Sequence, residues 1–435
     1  MDPRPPRPPR ITEFTSPLTI PGGGVAGAEI VRELPPELAL PVWQALRSVL
    51  MWAAEEPGAR ASLFDPRAME DWECELLQGT FDADLRYPLA VLVGELGRGG
   101  EARSEPVARA CLCVTEWALP RKAVSTALAF SEAAALAWPE HPRYAWMTGK
   151  LLRRYGRLPE AEAWVRRAVR VAIRIGDPEG HAQALHSLGD LFYQLGQYGR
   201  SSEKLHQALR IARRHRLRDR EGEILHDLIA SSVDRGRYDE AEQYARGALE
   251  IYGDQHPALA RLAYDVAFMW VRRGYFGRAL PVLLELSVLF DEPDVRARVL
   301  ASTARAAAGC GDQALFTRLS TEAVSTLSEA PRDQNGFAYA FMQLGIGASS
   351  LSLWDDSREM LNRALALARV RSESDVIVQA EAALDAVSER RMLDPALASS
   401  DGFAAEDEAL STRFVHMLRA APAGPGEVFA PGALC

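Results

Sequence analysis

The chain has 435 residues, 48% of them hydrophobic and 25% charged, with a formal net charge of −9. That apolar content suffices for about two to four compact domains or one elongated array, and the charge excludes an overall positive field that would recruit nucleic acid or an anionic membrane. No run of about 18 apolar residues occurs, so no membrane-spanning helix is expected.

The opening MDPRPPRPPRITEF carries positive charge but lacks the apolar run of about 7–15 residues that a secretory signal needs, so a cytoplasmic protein is expected. Residues 1–35, with PRPPRPP and PGGG, show no helical periodicity and are expected to form a disordered leader. PGGGVAGAE is an isolated glycine cluster in that leader, which reads as linker rather than phosphate loop. From Pro36 the pattern turns helical: Val42, Leu46, Val49 and Leu50 fall on one face with Trp43 at its edge, and similar segments follow at Met69–Leu77 and Leu85–Leu96. Residues 36–103 are thus expected to be a helical N-terminal region. The five cysteines, Cys74, Cys111, Cys113, Cys310 and Cys435, are scattered and form no C-x-x-C pair, unlike a zinc site or disulfide framework. The first four are expected to be small buried apolar residues, and Cys435 an exposed thiol, since a prenylated cysteine stands fourth from the end.

Beyond residue 104 the chain repeats itself. Gly149, Gly156, Ala161 and Ala168 recur forty residues later as Gly189, Gly196, Ser201 and Ala208, and forty further as Ile229, Gly236, Ala241 and Ala248. Ala267, Gly274, Ala279 and Leu286 follow at a slightly shorter step, and Gly345, Ser352, Ser357 and Ala364 restore the pattern. Weaker copies lie around Ala304, Gly311 and Ala323, with Phe316 where a small residue is expected, and around Cys111, Ala118 and Ala123, with Phe130 in the last place. Each copy reads as two helices joined by a short turn. The first and third positions face each other across the hairpin and must be small for the helices to approach. The second closes the first helix in a left-handed conformation, and the last admits the next repeat. Breakers separate the copies: GDPEG at 176–180, GDQHP at 253–257, DEP at 291–293 and PRDQNG at 331–336.

RRYGRLPEAEAWVRRAV and DRGRYDEAEQYARGAL are close matches to the tetratricopeptide repeat family, which the chain resembles and whose pattern has a small residue at positions 8 and 20, an aromatic or large apolar one at 24 and alanine at 27. The resemblance covers about residues 104–390, with repeats near 40 residues rather than the standard 34. It implies an all-α fold, a right-handed α-solenoid, spanning 104–391. SDVIVQAEAALDAVSERRML would be its capping helix, and 392–435 is expected to be a mostly disordered tail containing one short amphipathic helix, DEALSTRFVHMLRA.

No H-E-x-x-H, Walker loop or G-x-S-x-G is present, so no enzyme and no cofactor is expected. His186 and His226 stand one repeat apart, but no third and fourth ligand at suitable spacing makes a metal site, and polar lining of a groove is the preferred reading. The resemblance places the groove on particular first-helix positions: Trp146, His186, His226 and Tyr264 in one column, Lys150, Asp190 and Phe268 four residues on, and Arg153 and Tyr193 a turn further. Aromatics mixed with arginine are what protein interfaces favour. From His141 to Arg220 there are 17 Lys or Arg against 7 Asp or Glu. Arg170 and Arg210 share one repeat position and Arg174 and Arg214 another, a stripe on second helices that is either a solvated face or a docking site for an acidic protein segment. The expected function is a non-catalytic scaffold or adaptor of a bacterial-type cytoplasm, binding protein or peptide, with nucleic acid and membrane not expected as partners. The alternative is a peptide-sensing regulator of a transcription factor or other effector, although residues 36–100 lack a clear basic helix-turn-helix.

Overall fold

The computed structural model describes residues 19–20, 24–25, 27–290, 292–329, 336–371, 373–393 and 405–420. It is all-α apart from one short ladder, in which Thr19–Ile20 pairs antiparallel with Gly24–Val25. The chain divides into two compact units, Met1–Leu195 and Gly196–Cys435.

Unit 1 contains α1 (Ile30–Glu33), α2 (Pro36–Ala54), α3 (Pro66–Gln78), α4 (Ala83–Gly97), α5 (Ser104–Ala118), α6 (Val124–Ala137), α7 (Pro142–Arg154), α8 (Leu158–Ile175) and α9 (Pro178–Gln194). The helix starts are written in the sequence. Proline, whose missing N–H costs nothing at a first helical position, opens α2, α3, α7 and α9. In GDPEG, Gly176 closes α8 at φ 70°, and the Asp177 carboxylate then accepts from the Gly180 N–H at 3.0 Å to cap α9.

Regular structure begins ahead of residue 36, inside the segment read as leader. Ile30 of α1 is fully buried, and the Glu33 carboxylate accepts from the backbone N–H groups of Ser125 and Thr126, both at 2.8 Å, and from the Thr126 hydroxyl at 2.7 Å. A carboxylate from outside the repeat thus caps α6, where unsatisfied N–H groups and the helix dipole favour an anion. α6 is buried on nearly every side, between α2 on one flank and α5 and α7 on the other, which is why its sequence is apolar all round. PRPPRPP and Cys435 lie outside the described residues, as do 331–335 of the PRDQNG breaker.

Unit 2 contains α10 (Tyr198–His215), α11 (Arg218–Val233), α12 (Tyr238–Tyr252), α13 (Leu259–Arg273), α14 (Phe276–Ser287), α15 (Pro293–Gly309), α16 (Gln313–Glu329), α17 (Phe337–Ser350), α18 (Trp354–Arg371), α19 (Ser374–Ser388) and α20 (Ala405–Ala420). Through α19 each helix packs on its neighbour in sequence, and α13, α15 and α17 also pack in series on the first helix before them. α19 packs on α17 and α18, and Val376, Ala383 and Val387 join their apolar cluster.

The small residues sit where the repeat places them. A Cβ on Gly149 would lie 2.4 Å from Val165 Cγ2 and 3.1 Å from the Ala161 carbonyl oxygen. At the matching point of the α17–α18 hairpin, the Ser357 hydroxyl donates to the Gly345 carbonyl at 2.7 Å. The turn between paired helices is the same in copy after copy. Gly156 and Gly236 take φ 76° and 71°, and the next residue donates its N–H to the carbonyl five residues back, Arg157 to Leu152 and Arg237 to Ser232. Ser352 makes this turn without glycine, at φ 59°.

That turn corrects the register of the earliest copy. The left-handed residue there is Lys122, at φ 60°, followed by the Ala123 N–H donating to the Ala118 carbonyl. The repeat positions are therefore Thr115, Lys122, Ala127 and Ala134, four residues beyond Cys111, Ala118, Ala123 and Phe130. Thr115 Oγ1 lies 3.4 Å from the Ala127 carbonyl across the hairpin. The step from Thr115 to Gly149 is the standard 34 residues. In the copy at Ala304, Phe316 is buried in the small position because the following repeat provides room: a Cβ on Gly347 would lie 3.1 Å from Phe316 Cε2. Of the cysteines, Cys111 is buried as expected, but Cys74, Cys113 and Cys310 are exposed, since each falls on the outer face of its helix or at a helix end.

Candidate interaction surface

In unit 1 the candidate residues of α7 and α9 share faces by helical spacing: Trp146, Lys150 and Arg153 on one, His186, Asp190 and Tyr193 on the other. Hydrogen bonds tie the two helices together. Trp146 Nε1 donates to the Ser187 hydroxyl at 2.6 Å, and Arg153 reaches Asp190 Oδ2 at 3.4 Å. The Lys150 ammonium lies 5.5 Å from the centre of the Trp146 ring, a cation–π contact. His186, expected to line the groove, is 8% exposed and lies beneath this face, with Nε2 3.7 Å from Asp190 Oδ1. Trp146, Arg153, Asp190 and Tyr193 are partly exposed and Lys150 is exposed, so this face presents an aromatic–cationic surface with one carboxylate in it.

In unit 2 the groups of this column, His226 and Tyr264, also turn inward. His226 is 5% exposed, with Nε2 2.8 Å from Asp265 Oδ2 and Nδ1 3.5 Å from the Tyr252 hydroxyl. Tyr264, expected to line the groove, is 7% exposed and its hydroxyl meets the Ser302 hydroxyl at 3.0 Å. Burial pushes its phenol pKa up. Phe268 stacks on Tyr264 with ring centres 6.3 Å apart and meets Tyr339 edge-on at 5.8 Å, remaining partly exposed. Tyr264 and His226 therefore support the face from beneath, and Phe268 with Arg261, Asp227 and Tyr339 presents it. Arg261 sits between two acids, 3.7 Å from Asp227 and 3.9 Å from Asp265.

Asp227, Arg261, Asp265, Ser187, Ser302 and Gln343 belong to these faces and were not singled out from the sequence. A signal was present. The first helices are laced by complementary polar pairs one repeat apart: Trp146 with Ser187, Arg153 with Asp190, His226 with Asp265, Asp234 with Arg272, Tyr264 with Ser302 and Arg305 with Gln343, at separations of 37 to 41 residues. Comparing residue types down one column hides such pairs, because the partners occupy different columns.

The arginine stripe is distributed over both units, Arg170 and Arg174 exposed on α8 and Arg210 and Arg214 exposed on α10. Arg174 pairs with Glu140 at 3.3 Å, with both side chains 61% exposed. Such a pair contributes little to stability. Arg167 lies over the Trp164 ring at 5.2 Å, and burial, followed by the neighbouring Arg170 and Arg174 charges, lowers its pKa. Positive charge is thus concentrated on this side of α8.

Family models described as tetratricopeptide repeat match residues 146–214 and 230–258, spanning the hairpins just described. The chain carries tetratricopeptide repeats. As such an array it is, in general terms, a scaffold for protein interaction. Three solved structures illustrate what the tetratricopeptide chain is similar to. A tetratricopeptide repeat protein from Parabacteroides merdae is 14% identical, with a TM-score of 0.44 over 63% of this chain and 98% of its own. Aspartyl phosphate phosphatase F from Bacillus subtilis is 13% identical, with a TM-score of 0.42 over 81% and 94%. A Rap protein complexed with competence and sporulation factor is 11% identical, with a TM-score of 0.43 over 84% and 100%. No curated protein sequence matches the chain. Among the described residues no helix is long and apolar enough to cross a membrane.

Proposed function

We propose that the chain is a non-catalytic adaptor of the cytoplasm that binds a protein or peptide segment along its first-helix faces. The observation that carries this reading is the cross-repeat lacing itself. Hydrogen bonds between successive first helices hold Trp146 and Arg153 in unit 1, and ion pairs and ring contacts hold Arg261 and Phe268 in unit 2, as preorganised and partly exposed groups. Rigid aromatic and arginine side chains lose little entropy when a partner covers them. The exposed Arg170 and Arg174 of α8 suit an acidic stretch of that partner. The His226–Asp265 pair resembles catalytic machinery in composition, but its imidazole is buried and both ring nitrogens face protein groups, which suits a support. The test is capture of binding partners by the full chain and by a Trp146→Ala, Arg153→Ala, Tyr193→Ala variant, with helix content followed by circular dichroism. Loss of capture at unchanged helicity is expected. Undiminished capture would place recognition away from the α7–α9 face.

A further inference from the structure

α20 differs from every other helix of unit 2. The others pack on helices adjacent in sequence, whereas α20 packs on α13 and α14, with hydrogen-bonded partners 133 and 134 residues back along the chain. Its attachment has the form of a ligand on a surface. Leu410, Phe414, Met417 and Leu418 form one buried stripe, while Thr412, Arg413, His416 and Arg419 on the other side are exposed. Phe414 is fully buried edge-on to Trp270, with ring centres 6.4 Å apart at 75°. One polar contact fixes each end: the Ser411 hydroxyl donates to the Arg278 carbonyl at 2.8 Å, and the Arg419 guanidinium reaches Glu285 Oε1 at 2.8 and 2.5 Å.

The receiving surface is organised without α20. Glu242 of α12 accepts from Trp270 Nε1 at 3.0 Å and from Arg278 at 3.2 Å, and the Arg278 guanidinium lies 4.9 Å from the Tyr275 ring. These links run among α12, α13, α14 and the turn before α14, so the indole that receives Phe414 and the arginine whose carbonyl receives Ser411 are already positioned. α20 adds an apolar cover and two end contacts.

We propose that the α13–α14 surface is a binding site for an amphipathic helix, and that α20 is its resident ligand in cis, a separable arm rather than part of the repeat framework. Any competing helix must reproduce the spacing of Leu410, Phe414, Met417 and Leu418 with a cation where Arg419 meets Glu285. Occupation of this site by such a helix releases the tail, so that binding is coupled to its exposure.

The test uses the full chain carrying Phe414→Asp, which places a charge against Trp270 and frees the site, with a fluorescent peptide of residues 405–420 as probe. Anisotropy should show the peptide binding the variant at least tenfold more tightly than the unmutated chain, whose own α20 competes. A peptide with the same Phe414→Asp change should not bind. Adding Glu285→Arg to the variant chain should weaken capture, and an Arg419→Glu peptide should restore it. Equal binding to both chains, or binding to neither, would overturn the proposal. So would loss of hydrogen-exchange protection in α13 and α14 of the Phe414→Asp chain, because α20 would then be framework. A wild-type chain that dimerises by exchanging α20 would overturn the assignment in cis.

Discussion

Gly149→Ala tests the packing logic of the repeat most sharply, because helix propensity and packing predict opposite signs. Gly149 lies within α7, where alanine is preferred to glycine by about 1 kcal/mol, so an uncrowded site would gain stability. The new Cβ, however, would lie 2.4 Å from Val165 Cγ2, against an ordinary carbon contact of about 3.5–4.0 Å. Valine is stiff about χ1, and the next neighbours are the Ala161 carbonyl oxygen at 3.1 Å and the Val165 nitrogen at 3.2 Å, so neither the side chain nor the backbone yields easily. Overpacking of this kind costs about 1–3 kcal/mol, and the expected net effect is a loss of about 1 kcal/mol or more. Gly199→Ala is the control, since nothing lies within 4 Å of its Cβ position and the effect should be neutral or slightly favourable. Val165→Ala removes the obstructing atom, so the Gly149→Ala, Val165→Ala pair should show a favourable coupling of about 1 kcal/mol. Hydrogen exchange in α7 and α8 reads the change locally, which suits a chain of two units better than a single melting temperature. A Gly149→Ala chain as protected as wild type, or an additive double variant, would refute the helix-approach argument.

Replacing Glu33 with Ala should remove the cap on α6 and cost about 0.5–2 kcal/mol, seen as faster exchange at Ser125 and Thr126 with α8 and α9 unaffected. The Asp82 carboxyl is held below the usual carboxylate value by the Trp117 indole N–H and then by the Asp84 N–H, with the Arg121 charge adding to both. A lowered folded-state pKa means that its contribution is present above the unfolded value of about 3.9 and is lost as pH falls through the folded value. The wild-type chain should therefore lose protection around Trp117 on acidification, and Asp82→Asn should remove that pH dependence. Arg170→Glu with Arg174→Glu should abolish capture of an acidic segment while leaving thermal stability nearly unchanged, because exposed pairs such as Arg174–Glu140 contribute only about 0–1 kcal/mol. Retention of an acidic partner by that variant, at low and high salt alike, would reduce the α8 arginines to a solvated face.

The hairpins were legible in the sequence because their signals are local. A small residue, a left-handed turn and a second small residue twelve positions on are consequences of helix approach, and Gly149 with Ala161 or Gly345 with Ser357 show them without help from context. The earliest copy was misregistered for the same reason. Its turn residue is Lys122, not glycine, and Thr115 fills the small position while returning its hydroxyl to the Cys111 carbonyl at 3.0 Å, so the small side chains of the sequence pattern stand four residues early, at Cys111 and Ala118. The interaction faces were legible by column but not by depth. Tyr264 and Phe268 are both aromatic in sequence, and the Ser302 hydroxyl one repeat on, which meets the Tyr264 hydroxyl, accompanies the inward turn of the former. Glu33 on α6 and α20 on α14 were beyond reach, since partners about 92 and 133 residues apart share no periodicity.

The central claim, that the first-helix faces receive the partner, is tested most directly by site-specific photo-crosslinking. A benzophenone amino acid would be placed at Tyr193 in unit 1, at Phe268 in unit 2, and at the exposed Tyr87 of α4 as a reference, and the adducts identified by mass spectrometry. The account predicts the same partner peptide joined to the chain from Tyr193 or Phe268 and absent from Tyr87; adducts from Tyr87, with none from either first-helix position, would contradict it.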